Sequence, residues 1–358
     1  MIFRRFYIFI VEETIMKKHV ISTLAGAAIL AGSVSAQAAG ELNFYNWTDY
    51  TPDDLIEKFE KETGINVTMD TYDSNETLLA KLKSGAVGYD LAVPSSNFVS
   101  IMVSEGLLEE VDVKSMPNYK NVDPRWQGPA WDPEQKYTSP YQYGTTSFAV
   151  RTDAADVTCE SLKTFFEPEG EACGNVSVFA TPEEVASMAA LYLGQPYCDD
   201  RSDSLKAMQK LLQTQNKCVK VYSSEGMIDR VATKTVTVTN AWNGDAMRAR
   251  LEGTPIEYCY PKEGLVGWFD SLVIPKGAEN YENAKTFMNF LMEPENMAMV
   301  SNFARYSNAI PASTEFLDPE LATAPEANVP DGIEVRVSET CGPKFVKSID
   351  KIWTKLRQ

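Results

Sequence analysis

Apolar positions change their period in a regular way from Leu42 onward. Leu42 to Tyr45 reads as a first strand. Thr51-Pro52-Asp53-Asp54 then opens a helix, with Thr as N-cap, Pro in the first turn and acids at the positive end of the helix dipole. Leu55, Ile56 and Phe59 recur at helical spacing, and Gly64 ends the helix. Ile65, Val67, Met69 and Thr71 alternate as a second strand. Ser74 caps a helix carrying Leu78, Leu79 and Leu82. Tyr89 to Val93 is a third strand stopped by Pro94, and Phe98 to Glu105 a third helix ended by Gly106. This β-α-β-α-β-α alternation within about 65 residues predicts a parallel α/β sheet.

The alternation returns later. Val176 to Phe179 reads as a strand, and Thr181-Pro182-Glu183-Glu184 opens a helix with Val185, Met188, Ala189 and Tyr192 on one face. Val236 to Asn240 and Ser271 to Ile274 read as strands, with helices over about Tyr281–Met292 and Pro294–Phe303. No repeat or long linker separates the two stretches. Two α/β lobes are expected, with the chain crossing between them more than once.

Upstream of Leu42 the pattern is of another kind. Lys17 and Lys18 follow Met16, an apolar stretch runs from Val20 to Gly32, and Ala36-Gln37-Ala38 gives a small-x-small cleavage site. This is the pattern of a secretory signal peptide, too short to span a bilayer as a helix. Cleavage is expected after Ala38. Residues 1–15 fit no part of the pattern, so Met16 is expected to be the true start. Export would remove His19, the only histidine. Without imidazole, Ser-His-Asp and Cys-His catalysis, the HExxH zinc site and the His-based iron triad are all excluded. The even number of cysteines, six, points to disulfides in an exported chain. None lies in a CxxC pair. The expected pairing is Cys159–Cys173, Cys198–Cys218 and Cys259–Cys341, the first two closing short local loops.

Charge narrows the ligand. The chain carries 50 acidic and 33 basic side chains, a net charge of −17, which is a poor match for nucleic acid. Loss of Arg4, Arg5, Lys17 and Lys18 with the leader, against Glu12 and Glu13, leaves the remainder more acidic still. A hydrophobic content of 44% supplies a core. No Walker A or GxGxxG run supports nucleotide binding. No cofactor, no metal and no catalytic residue is assigned.

In open α/β sheets ligands bind beyond the carboxyl ends of strands. There the chain places Asn46-Trp47-Thr48-Asp49-Tyr50, Pro94-Ser95-Ser96-Asn97, Thr181-Pro182-Glu183-Glu184 and Trp242-Asn243-Gly244-Asp245. Trp268-Phe269-Asp270 lies just before the strand at 271–274. Aromatics and carboxylates recur together. An alkylammonium ligand needs such a pairing: an acid for each charged nitrogen, and an aromatic wall that covers methylenes and attracts cations by about 0.5–2 kcal/mol. Each residue also has a local alternative. Glu184 stands where a capping box places its acid, Asp245 fits a turn or N-cap, and Tyr306 fits a core. Trp126, Trp131 and Trp353 read as core.

Several motifs in order carry a resemblance over essentially the whole chain after the leader. They are FYNWTDY (44–50), FEKETGINV (59–67), YDSNETLLAKL (72–82), YDLAVPSS (89–96), PEEV (182–185), AWNGDA (241–246), YPKEG (260–264) and WFDSLVIP (268–275). The sequence resembles the spermidine- and putrescine-binding periplasmic proteins of bacterial ABC importers. The resemblance implies a type II two-lobed periplasmic binding protein fold, each lobe a mixed, mostly parallel sheet flanked by helices, that closes on its ligand. The lobes would comprise residues 39–149 with 272–314, and 150–271 with 315–358.

The resemblance also implies a site. Trp47 and Tyr50 would be aromatic walls of the first lobe, with Thr48 beside them and Asp49 facing the distal amine. Ser95 and Ser224 would be polar contacts. Glu184, Asp245 and Asp270 would surround the other amine, with Trp242 and Trp268 stacked on the chain and Tyr306 near the hinge. Thr181 stands where spermidine binders carry an acid, and Asp245 where they carry a small neutral residue. Together these favour putrescine over spermidine. The implied protein is a periplasmic monomer of a Gram-negative bacterium, no enzyme, whose partners are a polyamine and an inner-membrane permease. The rivals are a sugar-binding protein of the same fold and a secreted glycosidase or lyase using Asp245 and Asp270.

Overall fold

A computed structural model describes residues 40–85, 88–155 and 157–358. The expected signal peptide, its cleavage after Ala38 and the Met16 start lie outside the described residues. The strands are β1 (Gly40–Trp47), β2 (Ile65–Tyr72), β3 (Leu91–Ala92), β4 (Thr138–Arg151), β5 (Val176–Val178), β6 (Val219–Tyr222), β7 (Val238–Trp242), β8 (Ile256–Tyr258), β9 (Leu265–Val273), β10 (Ser307–Asn308) and β11 (Val335–Val337). They join one mixed sheet in the order β2-β1-β3-β9-β4-β7-β5-β6, with β8 and β10 on β4 and β11 on β9.

The two predicted α/β stretches form two parallel groups, β2-β1-β3 and β7-β5-β6. Between them run β4 and β9, antiparallel to each other. The first half of β4 pairs with β9, and from Thr146 onward it also pairs with β7 and β8. Each group packs its own core. Leu42, Phe44, Phe59, Phe287 and Ile310 belong to one cluster; Val176, Phe179, Met188, Leu211 and Trp353 belong to another. Both crossing strands contribute to each: Tyr141 and Leu272 to the first, Phe148 and Val266 to the second.

Four sequence expectations are corrected. The strand expected at Ser271–Ile274 is the end of a nine-residue strand, so Trp268, Phe269 and Asp270 lie within β9. The 14-residue β4 was not expected at all. Its buried Gln142, Thr145, Thr146 and Ser147 break the apolar alternation that marks a strand. Thr51 does not cap the first helix: the helix Asp53–Thr63 has Pro52 as N-cap, and the Thr51 hydroxyl is buried against Asn46 Nδ2 and Tyr141 Oη, both at 2.7 Å.

The fourth correction concerns the cysteines. None of the expected pairs Cys159–Cys173, Cys198–Cys218 and Cys259–Cys341 forms; the bridges are Cys159–Cys259, Cys173–Cys218 and Cys198–Cys341. Sequence proximity misled because the sheet sets the distances. Cys173 and Cys218 precede β5 and β6, whose parallel pairing of Val176 with Val219 brings their starts together. Cys259 follows β8 into the second core, and Cys341 precedes the helix Pro343–Leu356, which packs Phe345, Ile349 and Trp353 into that core. Peptide mapping without reductant is expected to return these three bridges. Replacing Cys159 and Cys259 together by Ser is expected to lower unfolding stability in denaturant by about 2–4 kcal/mol.

Candidate ligand-binding site

A cavity of about 430 Å³ lies at the carboxyl ends of β1, β3, β5 and β7 and against β9, and all twelve side chains singled out in the sequence line it. The rule that ligands sit beyond strand ends explains why loops distant in sequence converge here. Trp126, Trp131 and Trp353 do not line it.

Asp270 on β9 forms the floor, with 4% of its surface exposed. It accepts hydrogen bonds from Tyr50 Oη at 2.6 Å and Ser95 Oγ at 2.7 Å. Asn75 fixes Ser95, donating from Nδ2 to Oγ at 3.0 Å and accepting from the Ser95 N–H at 2.9 Å. Burial pushes the Asp270 carboxyl up to about 7; the two hydroxyls pull it back and the Glu184 charge adds to the rise. Only neutral donors and another acid act on it.

Glu184 stands in the first turn of the helix Pro182–Tyr192. It accepts from Thr146 Oγ1, from Trp242 Nε1 at 2.9 Å and from Thr181 Oγ1 at 3.2 Å. Thr181 makes no side-chain cap to the backbone, so the capping box read as the local alternative does not form. Burial raises the Glu184 carboxyl despite its three donors.

Aromatic rings flank these acids. Trp268 meets Tyr306 edge-on at 5.0 Å between centroids, and its Nε1 is buried without an acceptor. Trp242 packs on Phe179 at 4.4 Å. Trp47 donates to the Val93 carbonyl at 2.8 Å and packs on Tyr72 at 4.7 Å. Gly144 on β4 makes the Trp268 position available: a Cβ there would lie 2.5 Å from the Trp268 ring and from Asn243 Oδ1. Ser224 accepts from the Ala180 N–H at 3.0 Å. Thr48 and Asp49 turn away from β1, Asp49 in the left-handed region at φ 53°. Tyr306 is both core and cavity wall.

Sequence reasoning missed the cation of the site. Arg248 donates from Nη2 to Asp245 Oδ1 at 2.7 Å, and its Nη1 lies 3.9 Å from Asp49 Oδ2. Tyr306 Oη donates to the same Asp245 oxygen at 3.2 Å. Burial works against the guanidinium charge, but Asp245 and Asp49 outweigh it and hold Arg248 above its ordinary value. The i,i+3 spacing from Asp245 on one helix was the available signal. Glu76 and Glu183 were missed as well. Burial pushes Glu183 up to about 7 and raises Glu76, and each charge adds to the other's rise.

Residues 54–329 match the family model of the bacterial extracellular solute-binding proteins. The chain is 37% identical over 313 residues to the spermidine/putrescine-binding periplasmic protein of Salmonella typhimurium, covering 86% of this chain and 89% of that one. It is 30% identical over 367 residues to a putrescine-binding periplasmic protein of Escherichia coli, covering 96% and 99%. A spermidine/putrescine ABC transporter substrate-binding protein from Streptococcus pneumoniae superposes with a TM-score of 0.75 at 27% identity, covering 89% of this chain and 99% of that one. Among the described residues no helix is long and apolar enough to cross a membrane.

The raised Asp270 carboxyl has a consequence for stability. The folded, ligand-free chain keeps this proton up to about pH 7, whereas the unfolded chain releases it near pH 4. Its contribution is therefore present at low pH and lost as pH rises through about 7. Between pH 5 and pH 7.5 the wild type is expected to lose more thermal stability than Asp270→Asn; equal losses in both would contradict the assignment.

Proposed function

The chain belongs to the bacterial extracellular solute-binding proteins, and on that premise we propose that it captures polyamines in the periplasm, putrescine ahead of spermidine, and hands them to the permease of an ABC importer. The observation that carries this reading is Asp270: a carboxyl buried between aromatic rings, with hydroxyl donors and no cationic partner. Removing a carboxylate from water without a counter-ion is costly, and a primary ammonium lying there would offset that cost with charge-assisted hydrogen bonds. Glu184 would share the same ammonium, with Trp242 and Trp268 covering the methylenes. Trp47 and Tyr50 would wall the first-lobe side. No acceptor within the protein meets Trp268 Nε1, which suits a face left for a ligand.

The preference for a short diamine draws support from Thr181, whose hydroxyl donates to Glu184 where a second acid would extend the site. Asp245, the other sequence argument, is already paired with Arg248 and lends none directly. The lobes, taken as residues 39–149 with 272–314 and 150–271 with 315–358, would swing about the crossing strands. A ligand that bridges both lobes prefers the closed form, and only such a difference in affinity shifts the equilibrium.

Calorimetry with putrescine, spermidine and a panel of neutral sugars tests the reading. Heat is expected with the amines. Asp270→Ala and Trp268→Ala should each weaken putrescine binding at least tenfold, about 1.4 kcal/mol. Heat with sugars alone, or unchanged amine affinity in both variants, would refute it.

A further inference from the structure

Ten carboxylates line the cavity, and among the described residues Arg248 is the one basic side chain that does. Its position is specific. The guanidinium is bonded to Asp245 on its own helix and lies within ion-pair distance of Asp49, which comes from the turn after β1. It joins the two cavity acids farthest from the floor in character. The Asp49 side chain is 66% exposed, whereas Asp270 is almost wholly buried. Asp49 and Asp245 are therefore supplied with a fixed positive charge, while Asp270 and Glu184 have none.

We propose that Arg248 determines ligand length: its guanidinium stands where a further ammonium of a triamine would otherwise pair with Asp49 and Asp245. The inference rests on the polyamine reading and adds the residue that sets its selectivity. The electrostatics run one way. An ammonium approaching Asp49 meets a like charge at contact range, and the two acids it would need are already engaged in charge-assisted hydrogen bonding or ion pairing. A diamine that finishes before this end escapes the repulsion; a longer triamine does not. Like-charge repulsion against the competitor is a recognised route to specificity, alongside added contacts to the preferred ligand.

The test compares putrescine and spermidine by calorimetry on the wild type, Arg248→Gln, Arg248→Lys and the double variant Arg248→Gln with Asp245→Asn. Arg248→Gln is expected to raise spermidine affinity relative to putrescine at least tenfold. Arg248→Lys, which restores the charge, should return the ratio to that of the wild type. The double variant leaves only Asp49 released, so a smaller shift in the same direction is expected. It also serves where an uncompensated Asp245 prevents Arg248→Gln from folding. An unchanged ratio in a folded Gln or double variant overturns the length assignment while leaving diamine binding in place. Binding of neither amine by the wild type overturns the polyamine reading and this proposal with it.

Discussion

The site depends on a carboxylate buried without a cation. Asp270 sits at the end of a strand that runs through both lobes, and its only close donors are the Tyr50 and Ser95 hydroxyls. Isolated buried charge is unfavourable, and the group responds by holding its proton to about pH 7. The surrounding architecture maintains that tension. Asn75 locks Ser95, Tyr141 and Thr51 pack behind Tyr50, and the rings of Trp268 and Tyr306 exclude water. A cationic ligand is the missing member of this arrangement, which is why the pocket reads as a place for an ammonium.

The crossing strands turn this local chemistry into a two-lobed device. Because β4 and β9 belong to both cores, Asp270 is fixed relative to the first lobe through Ser95 and stands beside Glu184 of the second. Gly144 lets the Trp268 ring lie flush on β4 at the same crossing. The three disulfides lie in or against the second core, where they tie β5 to β6 at their starts and the C-terminal helix segment to its lobe. The crossing strands themselves carry no such tether.

Much of this was legible in the residues. The β-α alternation is local, so Leu42–Tyr45, Ile65–Thr71 and the helix at Pro182 could be read from period and turn chemistry. The aromatic–acid pairs could be found because strand ends are where an open sheet places its ligands, and the structure brings all twelve named side chains to one cavity. What escaped is non-local. β4 is lined with buried Gln, Thr and Ser whose partners lie far along the chain, so no alternation announces it. The cysteine pairs follow strand adjacency, which sequence spacing does not reveal. Arg248 looked like an ordinary helix-surface arginine until Asp49 arrived from the other lobe.

The central claim concerns one proton and one ammonium. Carbon-13 NMR of the Asp270 carboxyl, assigned with Asp270→Asn and titrated with and without saturating putrescine, addresses it most directly. The account predicts a midpoint near pH 7 in the ligand-free chain that moves well toward acid when the diamine is bound. A midpoint near 4 without ligand, or one that putrescine leaves in place, would contradict it.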